Sequence, residues 1–252
     1  MPTLSPGALR DVPRLHDSLV TIEIISDRMG IAPFQKPGGR TMSSTKPSIT
    51  PSPNGPYMVK DLQTLQNSKG EQLETQPTLA LCRCGGSKKK PFCDGTHAKI
   101  GFSDKKEEGR TGDRRHDYMG KTVTIHDNRG TCAHAGLCSN GLSAVFQLEH
   151  EPWIDPDAAP AEEIIAIVKS CPSGALSYSV DGEEQRDQDR EPAVTVSKNG
   201  PYLVTGGPEL VDVGRGEGAS TEHFTLCRCG ASKNKPFCDG SHWSSRFEDE
   251  KN

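Results

Sequence analysis

One segment of this sequence is written twice. Residues 82–97 read CRCGGSKKKPFCDGTH and residues 227–242 read CRCGASKNKPFCDGSH, with 13 of 16 positions identical. The Asn-Gly-Pro-Tyr at 54–57 returns at 199–202, so the copies lie 145 residues apart without a gap. Two copies are too few for a solenoid, which needs three or more units. The repeat therefore predicts a pair of modules that pack against each other within one chain.

The composition limits the hydrophobic core that each module can build. Apolar residues make up only 32% of the 252 residues, and there are 26 Gly and 19 Pro. Small, loop-rich units of this kind usually need a disulfide or a metal. The nine cysteines are an odd number, and a histidine follows at fixed spacing in each copy, which a disulfide would not require. The pattern favours metal ligation over a disulfide framework.

Three cysteines and one histidine form a candidate ligand set in each copy. Cys93 and His97 are four residues apart, so they would project on the same side of a helical turn capped by Asp94. Three sulfurs and one nitrogen suit either a tetrahedral zinc ion or a [2Fe–2S] cluster with two ligands on each iron. Spacing alone leaves both open. The candidate ligands are Cys82, Cys84, Cys93 and His97 in the first copy, and Cys227, Cys229, Cys238 and His242 in the second.

The motif Cys-x-Cys-x2-Ser-x3-Pro-x-Cys-Asp-Gly-Ser/Thr-His resembles the CDGSH iron–sulfur domain of the NEET family. Residues 238–242 match that signature letter for letter, and the first copy has Thr96 in place of Ser. The resemblance implies that each ligand set binds a [2Fe–2S] cluster, and that the protein transfers electrons or passes clusters to acceptor proteins. Two motifs on one chain resemble the tandem, monomeric branch, so we expect a monomer with an internal pseudo-twofold.

The histidine ligand has two physical consequences. A site with three thiolates and a neutral histidine is less negative than one with four thiolates, which favours accepting an electron. We therefore expect a reduction potential above that of four-cysteine plant-type ferredoxins. Because only the deprotonated nitrogen can bind a metal, we also expect acid to loosen the cluster.

Several other residues near the motifs have two interpretations. Ser87 and Ser232 either cap the ligand loop or donate a hydrogen bond to a cluster sulfur, and Tyr57 and Tyr202 are expected in the β core. Basic residues near the sites are either solvated, or they compensate cluster charge and dock an acidic redox partner. These basic residues are Arg83, Lys88, Lys89, Lys90, Arg228, Lys233 and Lys235.

A different segment separates the two copies. Its patterns predict a strand at Val123–Ile125, an amphipathic helix at Pro160–Ser170 and a strand at Leu176–Val180. Together with its cysteines, this order resembles a divergent mono-cluster ferredoxin domain.

The cysteines of the central segment are Cys132, Cys138 and Cys171, the last followed by proline as in the final ligand turn of a ferredoxin. Ala135 stands where the middle cysteine of such a domain would be. One interpretation is that the three cysteines hold a third iron–sulfur cluster, either [3Fe–4S] or a four-iron cluster completed by His134 or an outside ligand. Alternatively, the domain has lost its cluster and serves as a spacer.

These segments predict an α+β fold. Two small β-rich CDGSH units form an intramolecular pseudo-dimer, with a ferredoxin-like α+β domain between them. The predicted divisions are a flexible tail and linker at 1–50, the first CDGSH domain at 51–104, the ferredoxin-like domain at 118–182 and the second CDGSH domain at 192–250. The polar run at 181–191 is predicted as a second linker.

The remaining signals bound the function. No apolar run approaches the roughly 18–20 residues of a membrane helix, and the N-terminus lacks signal-peptide features, so we expect a cytoplasmic protein without a membrane partner. A net charge of −4 gives no reason to expect nucleic-acid binding. No nucleophile–base pair or nucleotide loop is evident, so we expect no enzymatic activity.

The leading hypothesis is an iron–sulfur protein that transfers electrons or clusters, with a redox protein or a cluster acceptor as its partner. The alternatives are a zinc-stapled interaction protein and a redox subunit of a partner oxidoreductase.

Overall fold

The structure, a computed structural model, describes residues 45–250 and 252, which belong to one compact unit. Within these residues the chain is mostly β. The strands are β1 Ser48–Pro51, β2 Tyr57–Lys60, β3 Thr64–Gln66, β4 Thr78–Leu81, β5 Arg115–Met119, β6 Thr124–Asn128, β7 Leu176–Val180, β8 Glu183–Gln185, β9 Ala193–Val196, β10 Tyr202–Thr205, β11 Glu209–Leu210 and β12 Phe224–Leu226. The helices are α1 Thr96–Lys99, α2 Leu137–Gly141, α3 Ala161–Lys169 and α4 Ser241–Ser244. None of these helices is long and apolar enough to cross a membrane.

The two repeats exchange a strand with each other. In the first repeat β1, β2 and β4 form an antiparallel sheet, and in the second β9, β10 and β12 do the same. The fourth strand of each sheet comes from the other repeat: β11 lies parallel to β1, and β3 lies parallel to β9. Neither four-stranded sheet is therefore complete without residues of both repeats.

One hydrophobic core is shared by both repeats. Alternate residues of β2 and β10 point inward, as the two-residue period of a strand requires. The rings of Tyr57 and Tyr202 meet edge to face, with centroids 6.0 Å apart and planes at 86°. The core is formed by Ile49, Tyr57, Val59, Leu62, Leu65, Leu79 and Leu81 from the first repeat, and by Val194, Val196, Tyr202, Val204, Leu210, Phe224, Leu226 and Phe237 from the second.

The central segment has its own sheet and its own core. Strands β5, β6, β7 and β8 pair antiparallel in chain order, and α3 buries Ile164 and Val168, one turn apart on one face. The predicted helix at 160–170 and the strand at 176–180 are confirmed. Both elements carry apolar residues at a clear period, which is why the sequence located them.

Three expectations differ from the structure. The predicted tail extends to residue 50, yet β1 begins at Ser48 with Ile49 buried; residues 1–44 lie outside the described part of the chain. The predicted linker at 181–191 contains β8, which pairs with β7. An α+β fold overstates the helices, since α1 and α4 have four residues each and α3 has nine. The β-rich units at both ends of the described chain are confirmed.

Candidate metal centres

The first ligand loop, residues 82–97, begins directly after β4 and ends in α1. The Sγ atoms of Cys82 and Cys84 are 3.8 Å apart, and Cys93 Sγ lies 3.4 Å from His97 Nδ1. The second ligand loop, residues 227–242, repeats this arrangement after β12. Its corresponding distances are 3.7 Å between the Sγ atoms of Cys227 and Cys229, and 3.4 Å between Cys238 Sγ and His242 Nδ1.

These spacings fit two ligands bound to the same tetrahedral metal. With metal–sulfur bonds near 2.3 Å and metal–nitrogen bonds near 2.0–2.1 Å, the edge between two sulfurs is about 3.8 Å and that between sulfur and nitrogen about 3.5 Å. Among the described residues, no three Cys, His, Asp or Glu side chains lie close enough together to hold a single metal ion. Each loop therefore presents its donors as two pairs, and thiolate and imidazole donors are ligands that iron–sulfur clusters use. The eight-residue ligand assignment stays a prediction.

Internal hydrogen bonds fix the shape of each ligand loop. Ser87 Oγ donates to the carbonyl of Phe92 and accepts from the amide of Lys89, so this serine caps the loop. Ser232 makes the equivalent bonds in the second loop. Lys90 Nζ donates to the carbonyl of Ser87, as Lys235 does to that of Ser232. These two lysines therefore stabilise the loops. The sequence had suggested instead that they are solvated or dock a partner.

The aspartate after the third cysteine is not the N-cap of the following helix but lies one position before it. The N-cap of α1 is Gly95 rather than Asp94, and that of α4 is Gly240. Asp94 instead accepts hydrogen bonds from the amides of Thr96 and Lys88, so it joins the two ends of the loop. Its hydrogen bonds, first those from Thr96, hold its pKa below the usual value.

Each loop is also held by a tyrosine of the other repeat. Tyr57 Oη donates to the carbonyl of Cys227 at 2.9 Å and to that of Pro236 at 2.8 Å. Tyr202 Oη makes the reciprocal bonds, to the carbonyls of Cys82 at 2.9 Å and Pro91 at 3.0 Å. Both tyrosines lie in the core as expected, but the sequence did not reveal that they connect each repeat to the ligand loop of its neighbour.

The two loops meet at their second cysteines. Cys84 and Cys229 form an isolated antiparallel bridge. A Cβ on Gly85 would lie 2.5 Å from the carbonyl oxygen of Cys229, and one on Gly230 would lie 2.5 Å from that of Cys84. Both glycines also have positive φ, so only glycine fits at this contact.

The arginine after the first cysteine is structural in both loops. Arg83 is 2% exposed, lies over the rings of Tyr57 and Phe102, and has Nη2 2.7 Å from Asp104 Oδ2. Arg228 pairs with Asp249 and donates to backbone carbonyls of the second repeat. These buried guanidinium groups cannot form part of a docking surface.

The two loops differ in exposure. Cys238 and His242 are buried, whereas Cys93 and His97 are half-buried. Burial raises the pKa of the Cys238 thiol to about 12 and lowers the pKa of His242. By contrast, the hydrogen bond with Cys227 lowers the pKa of Cys229. A neutral thiol must lose its proton to bind iron, so loading the second site releases protons.

All three central cysteines line one cavity of about 220 Å³. Cys132 approaches from the loop after β6, Cys138 from α2 and Cys171 from the turn after α3. Burial raises the pKa of the Cys132 thiol to about 12 and also raises that of Cys138. Ala135 and His134 line the same cavity, so the structure brings the predicted central residues together.

Two family models match this chain, and each matches where its motif stands. A model described as an iron-binding zinc finger of the CDGSH type matches residues 54–98 and 199–243. A model described as a divergent 4Fe-4S mono-cluster matches residues 118–181. The chain thus carries two CDGSH-type iron-binding units. It is an iron–sulfur-binding protein whose two CDGSH motifs flank a divergent mono-cluster domain, as the sequence had indicated.

Curated relatives add a further likeness without a function. The uncharacterized protein YjdI of Escherichia coli K12 is 36% identical over 61 residues, which cover 24% of this chain and 80% of YjdI. The YjdI protein of Escherichia coli O157:H7 matches to the same extent. No solved structure matches this chain.

Proposed function

We propose that this CDGSH protein is a one-electron carrier with a [2Fe–2S] cluster in each repeat. The observation that carries the proposal is the pairing of donors in both ligand loops. A Cys–Cys pair and a Cys–His pair, each at the spacing of ligands on one metal, suit the two irons of such a cluster. A bound cluster of this type accepts and returns a single electron.

The chain contributes a rigid holder for each cluster. Serine and lysine hydrogen bonds close each loop, and the tyrosine of the other repeat fixes the carbonyl of its first cysteine. Ligand positions that are held before loading and between redox states limit the rearrangement that accompanies electron transfer. Because the repeats complete each other's sheets, we infer that the chain acts as a monomer equivalent to a dimer of CDGSH units.

We propose that the central cavity holds a third cluster. Cys132, Cys138 and Cys171 would hold it, and the model matched there describes a 4Fe-4S type. Alanine at position 135 leaves a four-iron cluster one protein thiolate short, so His134 or an outside ligand would complete it.

A second candidate function is the donation of whole clusters to an acceptor protein. It is favoured by the partial exposure of Cys93 and His97, because a cluster can leave only through a reachable ligand. In either case the partner is a redox protein or a cluster acceptor, and the chain itself catalyses no reaction. In a variant of this proposal, the partner is an oxidoreductase that stays bound permanently, and the chain is its redox subunit.

Iron and acid-labile sulfide per chain, measured with visible absorption and EPR, test the proposal. We expect about four irons from the two [2Fe–2S] clusters and about eight with a loaded four-iron cluster. A colourless protein that contains zinc would establish the zinc-stapled interaction protein instead.

Mixing the loaded protein, first reduced with dithionite and freed of excess reductant, with an apo-ferredoxin and with an oxidised redox protein separates the two candidates. Electron transfer predicts reduction of the redox protein with all iron retained on this chain. Iron and sulfide that move to the apo-ferredoxin would support cluster donation.

A further inference from the structure

We propose that the second ligand loop and the central cysteine loop, residues 130–138, form one locked unit whose two metal groups are retained cooperatively. The first ligand loop lacks the contacts that join these two loops, so retention of its own group does not depend directly on the central cavity. The proposal rests on the proposed function, because it requires that both the second repeat and the central cavity hold iron–sulfur clusters.

Two contacts on either side of Cys132 join these loops. Asn234 Nδ2 donates to the carbonyl of Gly130 at 2.9 Å. On the other side, a Cβ on Gly240 would lie 2.9 Å from His134 Cβ and 3.3 Å from Cγ and Cδ2 of its ring. His134 thus lies directly against the backbone between the predicted ligands Cys238 and His242. Cys132 of the central cavity therefore lies between two contacts with the second ligand loop.

The first ligand loop has neither contact. Gly95 corresponds to Gly240 and has nearly the same φ, +82° against +83°, yet no atom lies within 4 Å of a Cβ placed on it. The residue that corresponds to Asn234 is Lys89, which is exposed. The backbone at this glycine is therefore the same in both loops, and what packs against it differs.

These two contacts predict cooperativity because a bound cluster fixes the loop that supplies its ligands. Fixing the central cysteine loop also fixes Gly130 and His134, so the second ligand loop loses less freedom when its own cluster binds. Linkage requires the effect to be reciprocal: each loaded site must raise the affinity of the other for its cluster by the same factor. Arg129 lines the central cavity and offsets part of the negative charge that two neighbouring clusters would bring together.

Cluster release to excess bipyridine tests this proposal on the full chain. The Cys93→Ser background leaves the second CDGSH site for observation, and the Cys238→Ser background leaves the first; the EPR signal of the remaining [2Fe–2S] cluster, recorded on reduced samples taken at intervals, reports release. Emptying the central cavity with Cys171→Ser, which lies in neither contact, should speed release from the second site, by about 5- to 150-fold where the dissociation rate carries the whole coupling between the sites. Release from the first site should not change.

Matched variants separate the contact from general damage. Asn234→Lys should speed release from the second site, whereas Lys89→Asn should leave the first unchanged. Gly240→Ala and Gly95→Ala impose the same backbone strain, so a larger effect of Gly240→Ala reports the contact with His134. Asn234→Ala replaces Asn234→Lys if the lysine prevents folding.

A measurement without new contact variants gives a second test. In reduced protein with the Cys93→Ser background, EPR should show dipolar broadening between the second site and the central site. The Cys238→Ser background should show none between the first site and the central site.

Equal release from both sites in all variants, or a central cavity that binds no iron in the intact protein, overturns the cooperative unit. Either result leaves the CDGSH clusters in place. Absence of iron–sulfur absorption from the whole protein overturns the proposed function instead, so the two failures are distinguishable.

Discussion

The first and second ligand loops differ at three of sixteen positions, yet the Cys–His pair is half-buried in the first loop and buried in the second. Every internal bond described above recurs in both: the serine cap, the lysine bond to its carbonyl and the tyrosine from the other repeat. The sequence of a loop therefore specifies its internal geometry. Its exposure depends on what packs against it: Asn234 and Gly240 of the second loop contact the central domain, and a Cβ on Gly95, the counterpart of Gly240, would meet no atom within 4 Å.

The largest expected effect tests what the two loops share. Gly85→Ala and Gly230→Ala each place a Cβ 2.5 Å from a backbone carbonyl at a positive φ. We expect each to lower the free energy of unfolding by more than about 3 kcal/mol, from backbone strain and overpacking together. Chemical denaturation of the apo-protein measures it.

Gly70→Ala is the control for strain alone, because Gly70 has φ +80° and no atom within 4 Å of a Cβ. It should cost about 1–2 kcal/mol. Equal losses from all three variants would mean that the contact between the loops contributes nothing.

Asp127, which lines the central cavity, provides the next largest effect. Burial raises its pKa from 3.8 to about 6. Because the folded state binds this proton more tightly, the ionised carboxylate opposes folding, fully above pH 6 and not at all below pH 3.8. Asp127→Asn should therefore stabilise the apo-protein by up to about 3 kcal/mol at neutral pH.

That gain should shrink as the pH falls and vanish below about pH 4. Asp181→Asn removes an exposed carboxylate and should change stability little at any pH. Urea denaturation at several pH values checks both variants. A gain that does not depend on pH would show that ionisation is not its cause.

Tyr57→Phe and Tyr202→Phe test whether the repeats hold each other symmetrically. Each variant leaves two buried carbonyls without the hydroxyl that donates to them. We expect each to lose about 1–3 kcal/mol, and the two losses in the apo-protein to be alike. A marked inequality between them would mean that the central domain also supports the contact of one tyrosine.

Two of the three differences between the loops compensate each other. A Cβ on Gly86 would lie 2.9 Å from Cγ2 of Thr96, and the second loop has Ala231 with Ser241 at these positions. Gly86→Ala alone should cost about 1 kcal/mol by overpacking, and Thr96→Ser should restore most of it. Additive losses in this double-mutant cycle would contradict the compensation.

The smallest expected difference concerns acid. Burial lowers the pKa of His242, so more acid is needed to protonate it, whereas His97 is more exposed. With Cys171→Ser added to the Cys93→Ser or the Cys238→Ser background, only one cluster absorbs, and the absorption of the second site should disappear at a lower pH than that of the first. His97→Cys and His242→Cys should each make their own cluster more resistant to acid, since a thiolate replaces the imidazole.

The sequence located the elements whose signals are local. The ligand motifs, α3 and β7 follow from spacing and apolar period, and the serine caps were one of two stated interpretations. β1 escaped because its Ser-Ile-Thr-Pro sequence resembles a linker. The exact repeat held a usable signal, since β1 corresponds to β9, whose Ala-Val-Thr-Val reads more clearly as a strand.

Contacts between distant segments could not be predicted in the same way. Nothing local to Tyr57 indicates that its hydroxyl reaches the carbonyl of Cys227, and nothing near Asn234 indicates a bond to Gly130. Such bonds depend on how the modules dock. The lysines show the same limit, because Lys90 and Lys235 resemble solvated residues until the cap they bind is seen.

The exchange of β3 and β11 also sets an order of events during synthesis. The first repeat has its three local strands once Leu81 has emerged, but its sheet edge at β1 stays unpaired until Glu209 follows. At about 5–20 residues per second, that interval lasts roughly 6–25 s on a ribosome. The central domain is made during this wait and can fold from its own sheet and core. The nascent chain therefore exposes the unpaired edge of β1 beside an already folded central domain. That edge is paired only when β11, in the last third of the chain, has been made.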